Sequence, residues 1–389
     1  MILSFRLASS GFIFAIALGV ATPPALAVEC GDTVTNSTVL NSDLICTCVN
    51  DLSVLIVEGP AALDLNGHTV SCSNSDHQGT YCLRIRGNGA TIKNGVVSSC
   101  HIGVGGFKEI NGTLIKDTNA TDNTGYGFFI NGDNNRLIQA TARDNFDVGI
   151  WFEGNNNQVR DSYVTGSLKA TGFFQWGVNN KVISNTIEDV GYNCIEMYNG
   201  VGNVIWNNTV RRCGGHGAVV DANSYSLVDN KFYSTGRASI YANGWGINDR
   251  NTATRITGNQ IINSSGDGIV VAYEDKAVVA SNVIVNSAGN GIVLHSPNSR
   301  CRVRSNTIRK CGMAGLRVRG ADGNNVTANK ISFCTRGINV GLGSNHNRLI
   351  NNRASNNTLF DLSDLSANCG SNVWKGNDGK GNIPCTQKK

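Results

Sequence analysis

A short pattern of apolar and polar positions recurs along most of the chain. An apolar pair is followed by Asn185, by Ile187 and then by a turn that contains glycine, and the same order returns around Asn208. A near-constant period of 22 to 29 residues predicts stacked supersecondary units rather than a conventional globular core. The recurring Asn positions are Asn185, Asn208, Asn230, Asn259, Asn282, Asn306, Asn329 and Asn352.

Each repeat also contains a short strand in which alternate residues differ in polarity. Two columns, two residues apart, are almost entirely apolar and are predicted to face inward. They consist of Phe128, Ile150, Phe173, Ile195, Ala218, Ile240, Ile269, Ile292, Leu316 and Ile338, and of Ile130, Phe152, Gln175, Met197, Val220, Ala242, Val271, Leu294, Val318 and Val340. Together with the apolar residues beside the Asn column, they predict three strands per coil, with coils stacked about 4.8 Å apart as parallel sheets.

The pattern therefore predicts an all-β fold, a single parallel β-helix of about 11–12 coils. A β-propeller is excluded because its blades repeat at about 40 residues or more. A leucine-rich repeat would need a recurrent Leu frame, and a βαβ fold would need helical periods. Neither pattern is present in the sequence.

The pattern changes at both ends of the chain. Residues 1–27 combine a positive Arg6, an apolar run and a small-residue cleavage site at Ala27, which predicts a secretory signal peptide. No later segment is apolar enough to cross a membrane, so we expect an exported protein, secreted or periplasmic, of unspecified oligomeric state. The remaining segments are predicted to be an N-terminal cap with the first coil, the repeats and a C-terminal cap, at residues 28–80, 81–360 and 361–389.

Thirteen cysteines follow the predicted signal peptide. In an exported chain they favour disulfides over metal ligands, and their odd number leaves at least one without a partner in the chain. The cysteines predicted to form disulfides are Cys30, Cys46, Cys72, Cys82, Cys194, Cys213, Cys311, Cys334, Cys369 and Cys385. Three pairs are suggested by position: Cys72 with Cys82 across a polar loop, Cys194 with Cys213, and Cys311 with Cys334 on adjacent coils.

Charge and motifs exclude several classes of function. The net charge is +5 and no aromatic nucleic-acid motif accompanies it, so nucleic acid is not expected as a partner. Cys46 and Cys48 are too close in sequence for a usual zinc knuckle, and no His pair completes such a site. No cofactor or metal is predicted, and no carboxylate cluster with calcium-loop spacing supports Ca²⁺.

The residues between the two inward columns are predicted to point outward and to form an axial strip, hereafter the outward strip. A solvated sheet face would carry Thr, Ser, Lys and Asn, whereas aromatic residues here indicate a binding surface. Sugar rings stack on aromatic faces, so a strip that repeats along the axis suits a linear polysaccharide. The predicted substrate-binding residues are Trp151, Glu153, Phe174, Trp176, Tyr198, Tyr241, Asn243, His295, Arg317 and Arg319.

Two carboxylates of this strip are the catalytic candidates. Glu196 and Asp221 lie on adjacent coils, two residues apart in register, which places them roughly 8 Å apart. Inverting glycosidases use a similar separation between their acid and their base. His216 precedes the strand of Asp221 and is predicted to assist. A lyase would instead need a base with cations, for which the candidates are His295, Arg317 and Arg319.

Several motifs resemble a known family. The opening LDLNGHTV, the recurring pattern GIxVxxxxNxVxxN and the tail DLSANCGSNVWKGN are similar to the right-handed parallel β-helix repeat proteins of the pectin-lyase-like superfamily. The resemblance covers roughly residues 60–380 and implies a right-handed coil. It also implies a polysaccharide as ligand or substrate, because most members of the superfamily act on or bind polysaccharides.

One stretch resembles the polygalacturonases more specifically. GYNCIEM followed by GGHGAVV is similar to their pattern, in which a GDDCIAI-type strand precedes a coil that opens with GHG. Cys194 and His216 match that pattern, but Tyr192 and Asn193 occupy the positions of the two Asp that carry the chemistry. The sequence therefore does not predict polygalacturonase activity.

The sequence leaves more than one function open. The first hypothesis is an exported polysaccharide-acting glycoside hydrolase or lyase, with the outward strip as its substrate face. The alternative is a non-catalytic glycan-binding or structural surface protein that uses the same scaffold. The longest repeat holds about six extra residues, among them Trp245, which we expect to border one side of the strip.

Overall fold

The computed structural model describes residues 28–382 and residue 386, with the exception of residues 50–51, 75–77, 108–109, 222–223, 245–253 and 298. The predicted signal peptide, Trp245 and Cys385 lie outside the described residues. The chain forms an all-β parallel solenoid of about 14 turns, which confirms the predicted fold. The predicted number of coils is too low, because the segments expected to be caps also contain coil strands such as Ser53–Glu58 and Phe360–Asp364.

Sheet 1 has 15 parallel strands and carries the outward strip. Each strand between the first and the last pairs with the strand one coil before and one coil after it. From Ile150–Glu153 to Ile292–His295, every outward residue has a register partner on each side. Its strands are Thr33–Val34, Ser53–Glu58, Tyr81–Arg86, Ile102–Gly106, Tyr126–Asn131, Ile150–Glu153, Phe173–Trp176, Ile195–Tyr198, Ala218–Asp221, Ile240–Asn243, Ile269–Ala272, Ile292–His295, Ala314–Arg319, Arg336–Val340 and Phe360–Asp364.

Two further parallel sheets complete each coil, and the long strands Thr91–Ser98 and Leu114–Thr121 belong to both of them. The other strands of sheet 2 are Thr38–Val39, Ala62–Asp64, Arg136–Ile138, Gln158–Arg160, Lys181–Ile183, Val204–Trp206, Ser226–Val228, Arg255–Thr257, Val278–Ala280, Arg302–Arg304, Asn325–Thr327, Arg348–Ile350 and Val373–Lys375. The other strands of sheet 3 are Leu44–Cys46, Thr69–Cys72, Thr141–Arg143, Tyr163–Thr165, Thr186–Val190, Thr209–Cys213, Lys231–Tyr233, Gln260–Ser264, Val283–Ser287, Thr307–Cys311, Lys330–Ser332 and Arg353–Ser355.

The recurring Asn residues form a continuous hydrogen-bonded ladder at the corner between sheets 2 and 3. The Asn185 side chain donates from Nδ2 to Oδ1 of Asn208 at 3.0 Å, and the backbone N–H of Asn185 donates to the same oxygen at 2.8 Å. The bonds repeat from coil to coil and reach Asn377. Because stacked amides satisfy one another inside the coil, the ladder fixes the corner and the register.

A second, shorter set of stacked Asn lies at the corner between sheets 1 and 2. The backbone N–H of Asn157 donates to Oδ1 of Asn180, and that of Asn180 donates to Oδ1 of Asn203. The buried Tyr225 follows in the next coil, and stacked Asn residues return at Asn324. The sequence pattern did not reveal this second set, because it is interrupted in the middle of the chain.

The interior confirms the two predicted inward columns, which are buried throughout, including Gln175 at 1 % exposure. No described segment forms a helix long and apolar enough to span a membrane. A short 3-10 turn lies at Ala367–Cys369. Near the C-terminal end, Trp374 is buried and its Nε1 donates to Asp364 at 3.0 Å.

Four disulfides lie among the described residues. The predicted pair Cys72–Cys82 is wrong, because the strand of Cys72 pairs with Leu44–Cys46 and its sulfur meets Cys48 instead. Cys194 bonds to Cys213 as the sequence favours, and Cys369 is also in a disulfide. The bonds are Cys30–Cys46, Cys48–Cys72, Cys82–Cys100 and Cys194–Cys213.

The predicted bond between Cys311 and Cys334 is also wrong. Both are buried free cysteines, and the Cys311 backbone N–H donates to Cys334 Sγ at 3.3 Å. Residues at the same position of adjacent parallel strands point in the same direction. The two thiols therefore lie one above the other along the axis, in hydrogen-bond contact but without a covalent bond.

Candidate functional site

The candidate site lies on the outward face of sheet 1, at the strands Phe173–Trp176, Ile195–Tyr198 and Ala218–Asp221. Strand pairing places Glu196 between Phe174 and Val219 in the first outward column. Tyr198 lies between Trp176 and Asp221 in the second column. A third column, just before each strand, holds Thr171, Asn193 and His216 and is in register through backbone bonds.

Glu196 is held firmly on this face although it is an acidic residue with only 7 % exposure. Thr171 donates from Oγ1 to Glu196 Oε1 at 2.8 Å, and Asn193 donates from Nδ2 to the same oxygen at 2.6 Å. Both donors are themselves buried. A buried carboxylate needs such donors, and their geometry fixes its orientation toward the strip.

Asn193 also links Glu196 to the next coil. Its Oδ1 accepts the backbone N–H of His216 at 2.7 Å. The imidazole Nδ1 of His216 lies 3.2 Å from the carbonyl oxygen of Ala238 and therefore carries a proton, so Nε2 holds the lone pair of the neutral ring. The ring centroid is 5.2 Å from that of Tyr241.

Burial lowers the pKa of His216, which opposes the raising effects of the Ala238 carbonyl and of Glu196. His216 is therefore a neutral imidazole near pH 7. Burial raises the pKa of Asp221, so this carboxyl retains its proton to a higher pH than a solvated Asp. Compared with the same groups in water, Asp221 thus favours its protonated form and His216 its neutral form.

Tyr198 lies between the two carboxylates. It follows Glu196 by two residues on one strand and pairs in register with Asp221 on the next. Burial raises the pKa of its phenol, and Glu196 raises it further through charge and hydrogen bonding. Tyr198 therefore keeps its proton near neutral pH, and because its single O–H is directed to Glu196, its phenol oxygen can accept a hydrogen bond from a ligand.

Five of the predicted substrate-binding residues are aromatic and were expected to be exposed on the strip, namely Trp151, Phe174, Trp176, Tyr198 and Tyr241. Trp176 is 48 % exposed, but the other four are half-buried. Trp151 stacks on Phe174 with ring centroids 4.1 Å apart, and its Nε1 donates to Glu153 at 3.0 Å. The expectation is therefore corrected: adjacent coils bring these rings into contact with one another, and Trp176 alone among the five presents a largely open ring.

The structure does not bring the predicted cationic residues to the carboxylates. His295 is three strands and Arg319 four strands from Asp221 in the second column, which is about 14 and 19 Å. Arg317 lies four strands from Val219 and lines a cavity of about 440 Å³ together with Arg336. Glu153 is three strands from Asp221 on the other side.

Asn243 does join the site, because it lies next to Asp221 in the second column. Its Nδ2 donates to Asp221 Oδ1 at 3.2 Å. Thr171 and Asn193 are the functional candidates that sequence reasoning missed. They precede their strands at corners, where the alternation of a strand no longer indicates which side chains face outward.

The disulfide Cys194–Cys213 adds rigidity directly behind the site. Cys194 precedes the strand of Glu196, and Cys213 ends the sheet 3 strand of the same coil. The other three mapped bonds lie between residues 30 and 100. A single cross-link in the middle coils, placed at this strand, supports a site that needs a fixed backbone.

One group of side chains among the described residues has metal-binding spacing, and it is not a free site. The sulfurs of Cys48, Cys72 and Cys100 lie close together, but all three belong to disulfides. Disulfide sulfurs are not thiolates and do not ligate zinc. In the part of the chain that the structure describes, the outward strip has no comparable group.

Comparison with known proteins identifies the fold. The sequence matches no curated protein. The structure is similar to the Dettilon tailspike protein, at 16 % identity and a TM-score of 0.53, over 90 % of this chain and 69 % of that chain. It is also similar to a double mutant of the periplasmic alginate epimerase AlgG, at 15 % identity and a TM-score of 0.51, over 78 % of this chain and 79 % of that one. Residues 103–249 and 245–383 match the family described as right handed beta helix region, and the chain therefore belongs to this family.

Proposed function

We propose that the outward strip of sheet 1 binds a polysaccharide and that Glu196 and Asp221 hydrolyse it as base and acid. One observation carries this proposal. A buried carboxylate that is fixed by two donors faces the same strip as a half-buried carboxyl whose pKa is raised. Two carboxyl groups in different environments are the usual arrangement of an acid and a base.

The proposed reaction follows from these environments. Asp221 donates its proton to the glycosidic oxygen, so the bond between that oxygen and the anomeric carbon breaks. Glu196 removes a proton from water, and the water oxygen bonds to the anomeric carbon. Adjacent strands and a two-residue offset separate the two residues by roughly 8 Å, which leaves room for that water.

The neighbouring side chains have positioning roles in this proposal. Asn193 and Thr171 orient Glu196, and the phenol oxygen of Tyr198 accepts a hydrogen bond from a sugar hydroxyl between the two carboxyl groups. Trp176, one strand before Tyr198, offers its open ring to the next sugar. Neutral His216 accepts a hydrogen bond from the substrate through Nε2.

A polysaccharide is the proposed ligand because the strip is linear, aromatic and axial. A similar structure named above is an alginate epimerase by name, which supports the same ligand class at the level of the fold. The disulfides support the exported location that the sequence predicts. A non-catalytic glycan-binding protein remains the second hypothesis, and the experiment below separates the two.

The test is a panel of polysaccharides with product analysis. The wild-type protein should bind one of them and release reducing ends. Glu196→Gln should lower the rate of turnover by about 10²–10⁴-fold and leave binding and the unfolding transition unchanged. Glu58→Gln, which removes a carboxylate six strands away in sheet 1, is the matched control.

Each outcome bears on the assignment. Turnover by Glu196→Gln at the wild-type rate would exclude this residue as the base. Binding by the wild-type protein without any turnover would show the non-catalytic function. Products with an unsaturated sugar end would show a lyase instead of a hydrolase.

A further inference from the structure

The outward face of sheet 2 carries a straight column of exposed cations. Strand pairing aligns one position of every strand from Arg136 onward. Nine coil steps of about 4.8 Å make this column about 43 Å long. Its residues are Arg136, Gln158, Lys181, Val204, Ser226, Arg255, Val278, Arg302, Asn325 and Arg348.

The cations of this column have a regular spacing. Arg136 and Lys181 are two steps apart, as are Arg255 and Arg302, and Arg302 and Arg348. Two coil steps correspond to about 10 Å. Between Lys181 and Arg255 the interval is three steps. Within this interval lies Trp206, which is 45 % exposed and belongs to the outward column two residues further along the same strands.

Among the described residues, no carboxylate forms an ion pair with the cations of this column. From Arg136 to Arg348, neither the column nor the outward column beside it contains Asp or Glu. The ion pairs among the described residues all involve other cations. Residues 302–353 contain ten Arg and Lys but a single Asp, so the modest net charge of the chain conceals a strongly basic region.

Amide side chains line the column where it begins. Asn134, Asn156 and Asn179 form an open groove of about 450 Å³ with Arg136, Gln158 and Lys181. Amides hydrogen-bond to sugar hydroxyls, whereas Arg and Lys pair with carboxylates or sulfates. A ligand that fits this surface therefore combines hydroxyl groups with regularly spaced anionic groups.

We propose that the outward face of sheet 2 is a second binding surface, for a linear acidic polysaccharide with an anionic group on every second sugar. One sugar of an extended chain is about as long as one coil step, so alternate acidic sugars have the period of the cations. Trp206 stacks on a neutral sugar at the wider interval. This surface is separate from the strip that holds Glu196 and Asp221 and does not depend on its function.

A nucleic acid duplex fits this surface less well. Its phosphates follow two helical strands, so a single straight column would meet them only where a strand crosses it. The amides and the single exposed indole suit sugars instead. A duplex oligonucleotide is therefore the competing probe in the test.

The test uses hyaluronan, which carries one carboxylate per disaccharide, with the full-length protein and a fixed salt concentration. The triple variant Arg255→Gln, Arg302→Gln and Arg348→Gln should weaken binding roughly tenfold or more. The control variant Arg309→Gln, Lys310→Gln and Lys330→Gln removes the same charge from exposed positions of sheet 3 and should change binding less than about twofold. All six positions are exposed, and thermal unfolding checks that both proteins remain folded.

Several results would overturn the proposal. Equal losses in both triple variants would indicate diffuse charge attraction instead of a site. Tighter binding to polygalacturonate, or to a duplex oligonucleotide, would exclude the proposed spacing or the proposed class of ligand, and so would the lack of binding to hyaluronan. Trp176→Ala should retain hyaluronan binding, so failure at this surface is distinguishable from failure at the outward strip.

Discussion

The Asn ladder and the outward strip run along the same coils, but only the ladder repeats. From Asn185 onward, every rung makes the same side-chain and backbone bonds to the next coil. Over the same coils, the first outward column changes from Phe174 to Glu196 and then to Val219. A position that repeats is thus required by the coil, whereas a position that changes is available for chemistry.

The difference between the repeating ladder and the variable strip has a direct physical cause. A ladder amide is buried, so each of its donors and acceptors needs a partner, and the next coil can supply one only if it carries the same residue. An outward side chain has no such obligation, because water or a ligand can satisfy it. Glu196 is an exception on the strip, since it is buried and receives its own donors from Thr171 and Asn193.

The largest expected effect is on the ladder. Asn259→Ala should lower the free energy of unfolding by about 3 kcal/mol. The substitution leaves the backbone N–H and Nδ2 of Asn230 and the carbonyl of Leu227 without their partner inside the coil. Denaturant unfolding followed by circular dichroism measures the loss, and the glycan affinity of the remaining folded protein should stay the same.

A matched control separates the ladder from the abundance of Asn in general. Asn325→Ala removes an exposed Asn from a strand of sheet 2 and should change the free energy of unfolding by less than about 0.5 kcal/mol. Similar losses in both variants would mean that the repeated position is not special. The contrast between ladder and strip would then have no energetic basis.

The same contrast explains what the sequence could and could not predict. The all-β coil is predictable because its inward columns and the ladder are repeated in register. Glu196 and Asp221 are predictable because they interrupt the outward columns. The contribution of Asn193 is not predictable. In the sequence, Asn193 is visible only as a difference from the polygalacturonase pattern, and its hydrogen bond to Glu196 depends on how the chain turns at the corner.

The disulfides show a different limit of prediction. Position within a coil correctly favours Cys194 with Cys213, because both lie at the same corner of a single coil. The Cys82–Cys100 disulfide has the same geometry. The polar loop between Cys72 and Cys82 nevertheless suggested a disulfide between those two residues. Proximity in sequence is a poor guide where a coil brings residues about 20 apart into contact.

The next effect separates a sugar platform from ring packing within the strip. Trp176→Ala should weaken glycan binding about tenfold, which corresponds to about 1.4 kcal/mol, with little change in stability. Trp151→Ala should instead lower the free energy of unfolding by about 2 kcal/mol, because its ring stacks on Phe174. Isothermal titration and thermal unfolding of both variants measure the two quantities.

The opposite pattern would change the assignment of the strip. If Trp151→Ala were the variant that lost affinity, the stacked rings would be the binding surface, and Trp176 would be an incidental exposed residue. If neither variant lost affinity, sugar stacking would not contribute to recognition on this face. The two carboxylates would then have to bind the ligand with polar contacts alone.

The smallest expected effect concerns the proton on Asp221. Burial raises its pKa, so in the proposed reaction the rate falls as pH rises through this value and the acid loses its proton. The amide of Asn243 donates to Asp221 Oδ1 and favours the ionised form. Asn243→Leu keeps a similar shape without the donor, so it should raise the pKa of Asp221 further and move the alkaline limb of the rate profile upward by less than about one pH unit.

The matched variant is Asn131→Leu, which removes the corresponding donor to Glu153 at 2.6 Å, on the same column but four strands away. It should leave the alkaline limb in place, because Glu153 is too far from Asp221 to share its proton. A limb that moved equally in both variants would reflect a general change of the strip. If Asn243→Leu moved the acidic limb upward and left the alkaline limb in place, the ionised form of Asp221 would be the active one, and the roles of acid and base would pass to the opposite residues.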